Sequence, residues 1–262
     1  MKLSWYGTAS LILEEAGVRI AFDPFGGIAP GELKHPPEQL PYEEELRNVD
    51  RVYVTHGHLD HIIHLPRLYG GTDIPIYCTE APEHTLLRHG MQPHQLRRIG
   101  PGYEETVGPF RVQAFHSRHC RFDLPQLKKT VRSPDFFRDV EHLNALLKAD
   151  AACPELGQIL LYQVEAGGKR VQILGSMNLA PREDYPTGAE ALVLPLQGRS
   201  DQDTYALELV RRLMPRAVYL DHYDNSFPPI TGAVDPGGFV EGVRRTFHIP
   251  CLPLSRGQTI LI

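Results

Sequence analysis

Thr55-His56-Gly57-His58-Leu59-Asp60-His61 sets the reading of this sequence: three histidines and one aspartate fall within six positions. The stretch follows an apolar β-type run, Arg51-Val52-Tyr53-Val54, and precedes a helical pattern from Ile62 to Leu68. It therefore occupies a strand-to-helix loop, where reactive groups are usually carried on a rigid frame. In extended backbone, residues two apart point the same way, so His56 and His58 can grip one ion. Gly57 between them has no side chain to obstruct it. Asp60 and His61 follow where the helix begins, project from another part of the turn, and suit a second ion. A surface loop that happens to be rich in histidine would explain one such residue, not four.

The H-x-H-x-D-H form resembles the metallo-β-lactamase-fold superfamily. Gly7-Thr8-Ala9-Ser10-Leu11-Ile12-Leu13 and Gly17-Val18-Arg19-Ile20-Ala21-Phe22-Asp23-Pro24 are similar to that family's opening hairpin and its strand-end aspartate, and the resemblance runs to about residue 225. It implies a four-layer αββα sandwich with the site along one edge; periodicity by itself supports only an α/β class. It also implies His116, at a strand end, as the third ligand of the first ion. His222, in Leu220-Asp221-His222-Tyr223-Asp224, would join Asp60 and His61 on the second. Three imidazoles leave one open position on a tetrahedral zinc, the catalytic form of such a site. By the same resemblance Asp23 braces the metal loop, although a turn cap before Pro24 would use the same geometry. His64 is expected to be structural. The implied cofactor is zinc, one or two ions, with manganese as the alternative.

One departure stands out. Where the family commonly has an aspartate bridging both ions, Leu174-Gly175-Ser176-Met177-Asn178 offers Ser176, a weak neutral ligand. A second ion would be held less firmly or its identity changed, and Asn178 or Asp224 are candidates to compensate.

The remaining chain bounds the function. At 262 residues and 42% hydrophobic it has ample core for one domain over 1–262. Its net charge of −5 argues against a general nucleic-acid or anionic-membrane binder. The N-terminal residues lack a signal-peptide core, and no apolar run reaches transmembrane length. Cys78, Cys120, Cys153 and Cys251 are scattered without CxxC spacing, which fits free thiols and a cytoplasmic location. Residues 24–48 are rich in Gly and Pro and read as a long loop. Residues 10–14 and 18–22 read as a hairpin, as do residues 157–165 and 169–174, where the second half restarts. Ala81 to His89 and Asp203 to Met214 read as helices, and Ser200-Asp201-Gln202-Asp203 fits a capping box.

Residues 117–156 are read as a lid insertion. From Arg118 to Arg132 there are five basic residues and one acid, a local excess of four positive charges in an acidic chain. A helix is expected through Phe136, Val140, Leu143 and Leu147, packing an apolar face over the site mouth. A solvated basic loop is the plainer alternative.

Together these readings point to a metal-dependent hydrolase that activates water to cleave a small anionic ester, a phosphodiester or phosphorylated lactone. Arg118, Arg121 and Arg199 would bind the substrate. Asp60 would orient the nucleophile and His119 would protonate the leaving group. The alternatives are a hydrolase of a neutral ester, thioester or lactam, and a non-catalytic metal-stabilised binding module. The partner is a small-molecule substrate, with no nucleic acid and no membrane. A homo-oligomer stays open, because Phe25 to Pro30 and Asp135 to Leu147 could meet another subunit.

Overall fold

The computed structural model describes every residue but Pro30 and Asp135; the ends of the two segments named for oligomer contact lie outside the described residues. Among the described residues, fourteen strands form two seven-stranded sheets. The first contains β1 (Lys2–Trp5), β2 (Leu11–Glu15), β3 (Val18–Phe22), β4 (Arg51–Tyr53), β5 (Ile76–Cys78), β6 (Leu96–Arg98) and, at one edge, β14 (Gln258–Leu261). The second contains β7 (Glu104–Val107), β8 (Phe110–Ser117), β9 (Ile159–Ala166), β10 (Lys169–Leu174), β11 (Ala191–Pro195), β12 (Val218–Asp221) and β13 (Cys251–Pro253). Two-residue turns set both hairpin registers. Ala16-Gly17 closes Glu15 on Val18, Gly167-Gly168 closes Ala166 on Lys169, and all four turn residues have positive φ, as tight hairpins of this twist require.

Three apolar cores make the layers. Between the sheets, Trp5, Leu11, Phe22 and Tyr53 meet Phe110, Tyr162, Val164 and Val193. The outer face of the first sheet is covered by α1 (Glu43–Arg47), α2 (Leu59–Ile62), α3 (Leu65–Tyr69) and α4 (Glu80–Arg88), through Leu46, Ile62, Leu68 and Leu86. Residues 118–156 carry α5 (Leu124–Arg132) and α6 (Val140–Ala151), of which α6 adds Leu146 to that same core. The outer face of the second sheet is covered by α7 (Gln202–Leu213) and α8 (Gly237–Phe247), through Leu209, Val210, Phe239 and Val243. The result is the αββα sandwich.

The structure departs from the sequence reading in three places. The division between sheets falls after β6, not at residue 157, because β8 pairs with β9 along its whole length, from Arg111 opposite Glu165 to Ser117 opposite Ile159. The expected helix around Phe136 to Leu147 begins only at Val140, preceded by α5, and Val140 and Leu147 face solvent rather than the site. No capping box forms at α7: the Ser200 hydroxyl donates to Asp123 instead, at 2.7 Å, and Asp201 makes no side-chain cap. No helix among the described residues is long and apolar enough to cross a membrane.

Candidate metal centre

The sheets meet beneath the histidine loop. Leu160 of β9 donates its backbone N–H to the Thr55 carbonyl at 2.9 Å, and the Tyr162 hydroxyl donates to the Val54 carbonyl at 2.8 Å. Asp23 lies just past β3 and His222 just past β12, with φ of 44° and 53°. Left-handed backbone is uncommon for residues with a side chain and collects at functional sites. Both strand ends turn so that their side chains reach the loop.

Two triads result. The ligand atoms of His56, His58 and His119 lie within 4.8 Å of one another, as do those of Asp60, His61 and His222. His119, not His116, completes the first group, which corrects the strand-end assignment. The ladder continues through Ser117, so His116 is still in the sheet, opposite Leu160. Its side chain lines a separate surface depression with Arg118 and Arg182. His119, expected as a leaving-group acid, is in the loop beyond the strand, where its ring joins His56 and His58.

Whether the residues fit a metal is answered by their tautomers. Thr55 donates its hydroxyl to Asp23 Oδ2 at 2.6 Å, so its oxygen accepts from His56 Nδ1 at 3.0 Å. His61 Nδ1 lies 2.8 Å from Asp23 Oδ2. His119 Nδ1 donates to the Cys120 carbonyl at 2.7 Å, and His222 Nδ1 to Gln197 Oε1 at 3.1 Å. In His56, His61 and His119 the Nδ1 is tied to an acceptor and Nε2 is left with its lone pair, whereas the His222 ring also meets Asp60 Oδ2 through its Nε2, at 2.9 Å. A fixed tautomer behind the imidazole is what metal-binding histidines require. The sets, three imidazoles and two imidazoles with a carboxylate, suit zinc. His56 Nε2 and His58 Nδ1 lie 3.1 Å apart, close enough to share one ion.

The electrostatics agree. Burial, with neighbouring imidazoles, pushes His56 well below the usual histidine range and His58 down to about 3. Burial likewise lowers His119. These rings are neutral at pH 7, the form that binds metal. Burial opposes the charged form of Asp60, but His61 and the 2.9 Å hydrogen bond with His222 outweigh it and hold the carboxylate below its usual range. Burial also opposes protonation of His222, but Asp60 raises it to about 9.

The loops have little freedom. A Cβ on Gly57 would stand 2.6 Å from the Pro154 carbonyl, and one on Gly175 would stand 2.5 Å from Thr55 Cβ. Ser176 accepts from the Cys120 backbone N–H at 2.9 Å and Asn178 donates to the His119 carbonyl at 2.9 Å, so both hold the His119 loop. Asp224 is engaged by Arg256 at 2.6 Å and by Thr8 N–H at 3.1 Å, whose own carbonyl accepts from His222 N at 2.9 Å. Neither Asn178 nor Asp224 supplies the missing bridge.

The cleft over the triads encloses about 330 Å³ and is lined by His58, Asp60, His119, Phe122, Asp150, Glu155, Ser176, Met177, Phe227 and Ile230, among others. An adjoining outer lobe contains Lys129, Arg199 and Asp235. The three arginines expected to bind substrate are elsewhere or neutralised. Arg118 faces the surface depression with His116, and Arg121 is exposed. Arg199 is paired with Asp201 through two hydrogen bonds of 2.6 and 2.9 Å and lies over the Tyr205 ring. Thr55, Gln197 and the Cys120 carbonyl are parts of the site that the sequence did not signal. Each acts through a hydrogen bond to a ring nitrogen rather than through a motif.

Comparison with known proteins agrees with this geometry. The beta-lactamase superfamily domain matches residues 2–220. A UPF0173 protein of Pyrococcus abyssi is 24% identical over 247 residues, covering 94% of this chain and 90% of its own. A UPF0173 metal-dependent hydrolase of Ignicoccus hospitalis is 24% identical over 266 residues, covering 99% and 97%. Among solved structures, a metallo hydrolase of the same archaeon superposes with a TM-score of 0.63 at 20% identity, over 99% of this chain and 97% of that one.

Proposed function

The chain belongs to the beta-lactamase superfamily, and we propose that it is a metal-dependent hydrolase of a small, largely apolar ester, thioester or lactam. The observation that carries the hydrolase reading is the set of three rings, His56, His61 and His119, held in metal-ready tautomers within two triads. A non-catalytic descendant has no need of that organisation. His56, His58 and His119 would hold one ion and Asp60, His61 and His222 the other, with zinc the ion these donors suit best. Bound there, such ions supply Lewis acidity to the substrate oxygen and lower the pKa of water toward ~7.

The chain's own groups do the rest. Asp60, kept ionised, presents an acceptor that orients the attacking water. Asp150 lines the cleft and burial raises its carboxyl pKa, with the Asp60 charge adding to the effect. It is therefore the group placed to protonate a leaving oxygen, sulfur or nitrogen. Phe122, Met177, Phe227 and Ile230 exclude water and bind an apolar substituent. A reducing compartment suits the four free, buried cysteines.

The uncharged substrate is preferred to an anionic one because the inner lobe brings Asp150 and Glu155, and no arginine, to the metal triads. Lys129 in the outer lobe is the observation that favours the phosphodiester reading, since it can reach an anion bound there. The test is turnover of an aryl ester and of bis-p-nitrophenyl phosphate by zinc-loaded protein across ionic strength. Ester turnover insensitive to salt and lost in His58→Ala supports the proposal. Faster phosphodiester turnover that falls with salt and with Lys129→Gln supports the second reading. Turnover of neither by zinc- or manganese-loaded protein leaves the binding module.

A further inference from the structure

Helix α5 is inside out. A surface helix ordinarily buries its apolar stripe and exposes its polar one. Here no residue of the helix is buried. Gln126 and Thr130 are half-buried and line the cleft, while Leu124, Leu127 and Val131 are 71%, 46% and 47% exposed. At about 100° per residue those three share one face, with Lys128 and Arg132 along one flank of it. Phe122 and Phe137, just before and after the helix, are 56% and 61% exposed. Eight of the twelve large apolar side chains exposed among the described residues fall between 117 and 156. An apolar strip of this extent marks an interaction surface.

We propose that the outer face of α5 docks on an anionic lipid surface and that the cleft beneath it takes its substrate from that surface, the second half resting on the hydrolase reading above. Charge decides between occupants. Lys128 and Arg132 make no ion pair with any described carboxylate, so two cations stand free beside the apolar strip. That is the pattern of a helix lying in a membrane interface, with its apolar face in the acyl boundary and cations at the headgroups. A second copy fits worse. Antiparallel pairing of two strips about a two-fold axis sets Lys128 and Arg132 against their own counterparts. The net charge of −5 belongs to the whole chain, and the docking face carries the opposite sign. The inner side of the same helix forms part of the cleft wall, so an ester with an acyl tail leaving the interface meets the apolar lining of Phe122 and Ile230 directly.

The test is co-sedimentation of the zinc-loaded full chain with vesicles of phosphatidylcholine alone or with about 30% phosphatidylglycerol. Binding at least tenfold stronger to the anionic vesicles, weakened by salt, is expected, since each cation near such a surface contributes roughly fivefold. Lys128→Glu/Arg132→Glu should lower it at least tenfold, and Leu127→Asp/Val131→Asp should abolish it, while hydrolysis of a soluble ester is unchanged. Absence of binding, or binding indifferent to both variants, overturns the proposal. A dimer in sedimentation velocity that Leu127→Asp dissociates also overturns it, because a second copy then covers the strip. Vesicle binding without turnover of any ester keeps the docking surface and removes only substrate delivery.

Discussion

The metal loop and the segment that overhangs it are built on opposite principles. Residues 55–61 are fixed from beneath: Thr55 N–H and hydroxyl donate to Asp23 at 2.7 and 2.6 Å, His61 leans on the same carboxylate, and Gly57 has no room for a methyl group. Helix α5, a few residues past His119, buries nothing and touches the site only along Gln126 and Thr130. Ligand geometry tolerates little displacement, so it is anchored in the core. Under the proposed function, substrate contact falls to a segment whose loss of packing the core does not feel.

Breaking the anchor should have the largest effect. Asp23→Asn keeps the volume but removes the charge that fixes His61 and Thr55 together. A 10–100-fold loss of metal affinity or activity is expected, as for other groups that hold a metal ligand in place. Metal titration of the variant checks it, and wild-type affinity would show that the loop holds itself.

The acid stability of the same region gives the next effect. His64 accepts a hydrogen bond from Gly26 N–H at 3.1 Å and stacks on Phe25 at 4.9 Å. Burial, with the Arg67 charge adding, lowers its pKa to about 4 from an ordinary 6.5. The unfolded chain therefore binds the proton first. The contribution is full above pH ~6.5 and is lost as pH falls toward 4, reaching about 3 kcal/mol. Denaturant unfolding of His64→Gln should show a shallower stability loss than wild type across that window, and parallel curves would contradict the assignment.

At the other end of the comparison, Leu127→Asp should change folding stability by no more than about 0.5 kcal/mol, because the side chain is exposed and belongs to no core. A larger loss in thermal unfolding would show that the outer face of α5 is covered within the protein.

The same contrast explains what the sequence could tell. The loop was legible because its ligands are local: His56, His58, Asp60 and His61 follow one another at spacings that geometry constrains. His222 and Asp23 were reachable as strand-end residues. His116 was named in place of His119 because the end of β8 is set by its partner, with Ile159 opposite Ser117, and pairing of that range is not written locally. Ser176 was visible as a departure, yet its actual work, accepting from Cys120 N–H, depends on where another loop passes. In α5 the apolar spacing of Leu124, Leu127 and Val131 is plain, but periodicity states that residues share a face and not which way it points. The layering was recovered from the motif's resemblance, whereas the boundary between sheets was misplaced because it depends on the long-range pairing of β8 with β9.

We propose that His119, and not His116, completes a two-ion centre. Elemental analysis of metal per chain, on wild type, His119→Ala and His116→Ala purified without chelator in the presence of zinc, tests it most directly. Two ions are expected in wild type and in His116→Ala, one for each triad, and about half that content in His119→Ala. Full metal in His119→Ala with loss in His116→Ala would contradict the account.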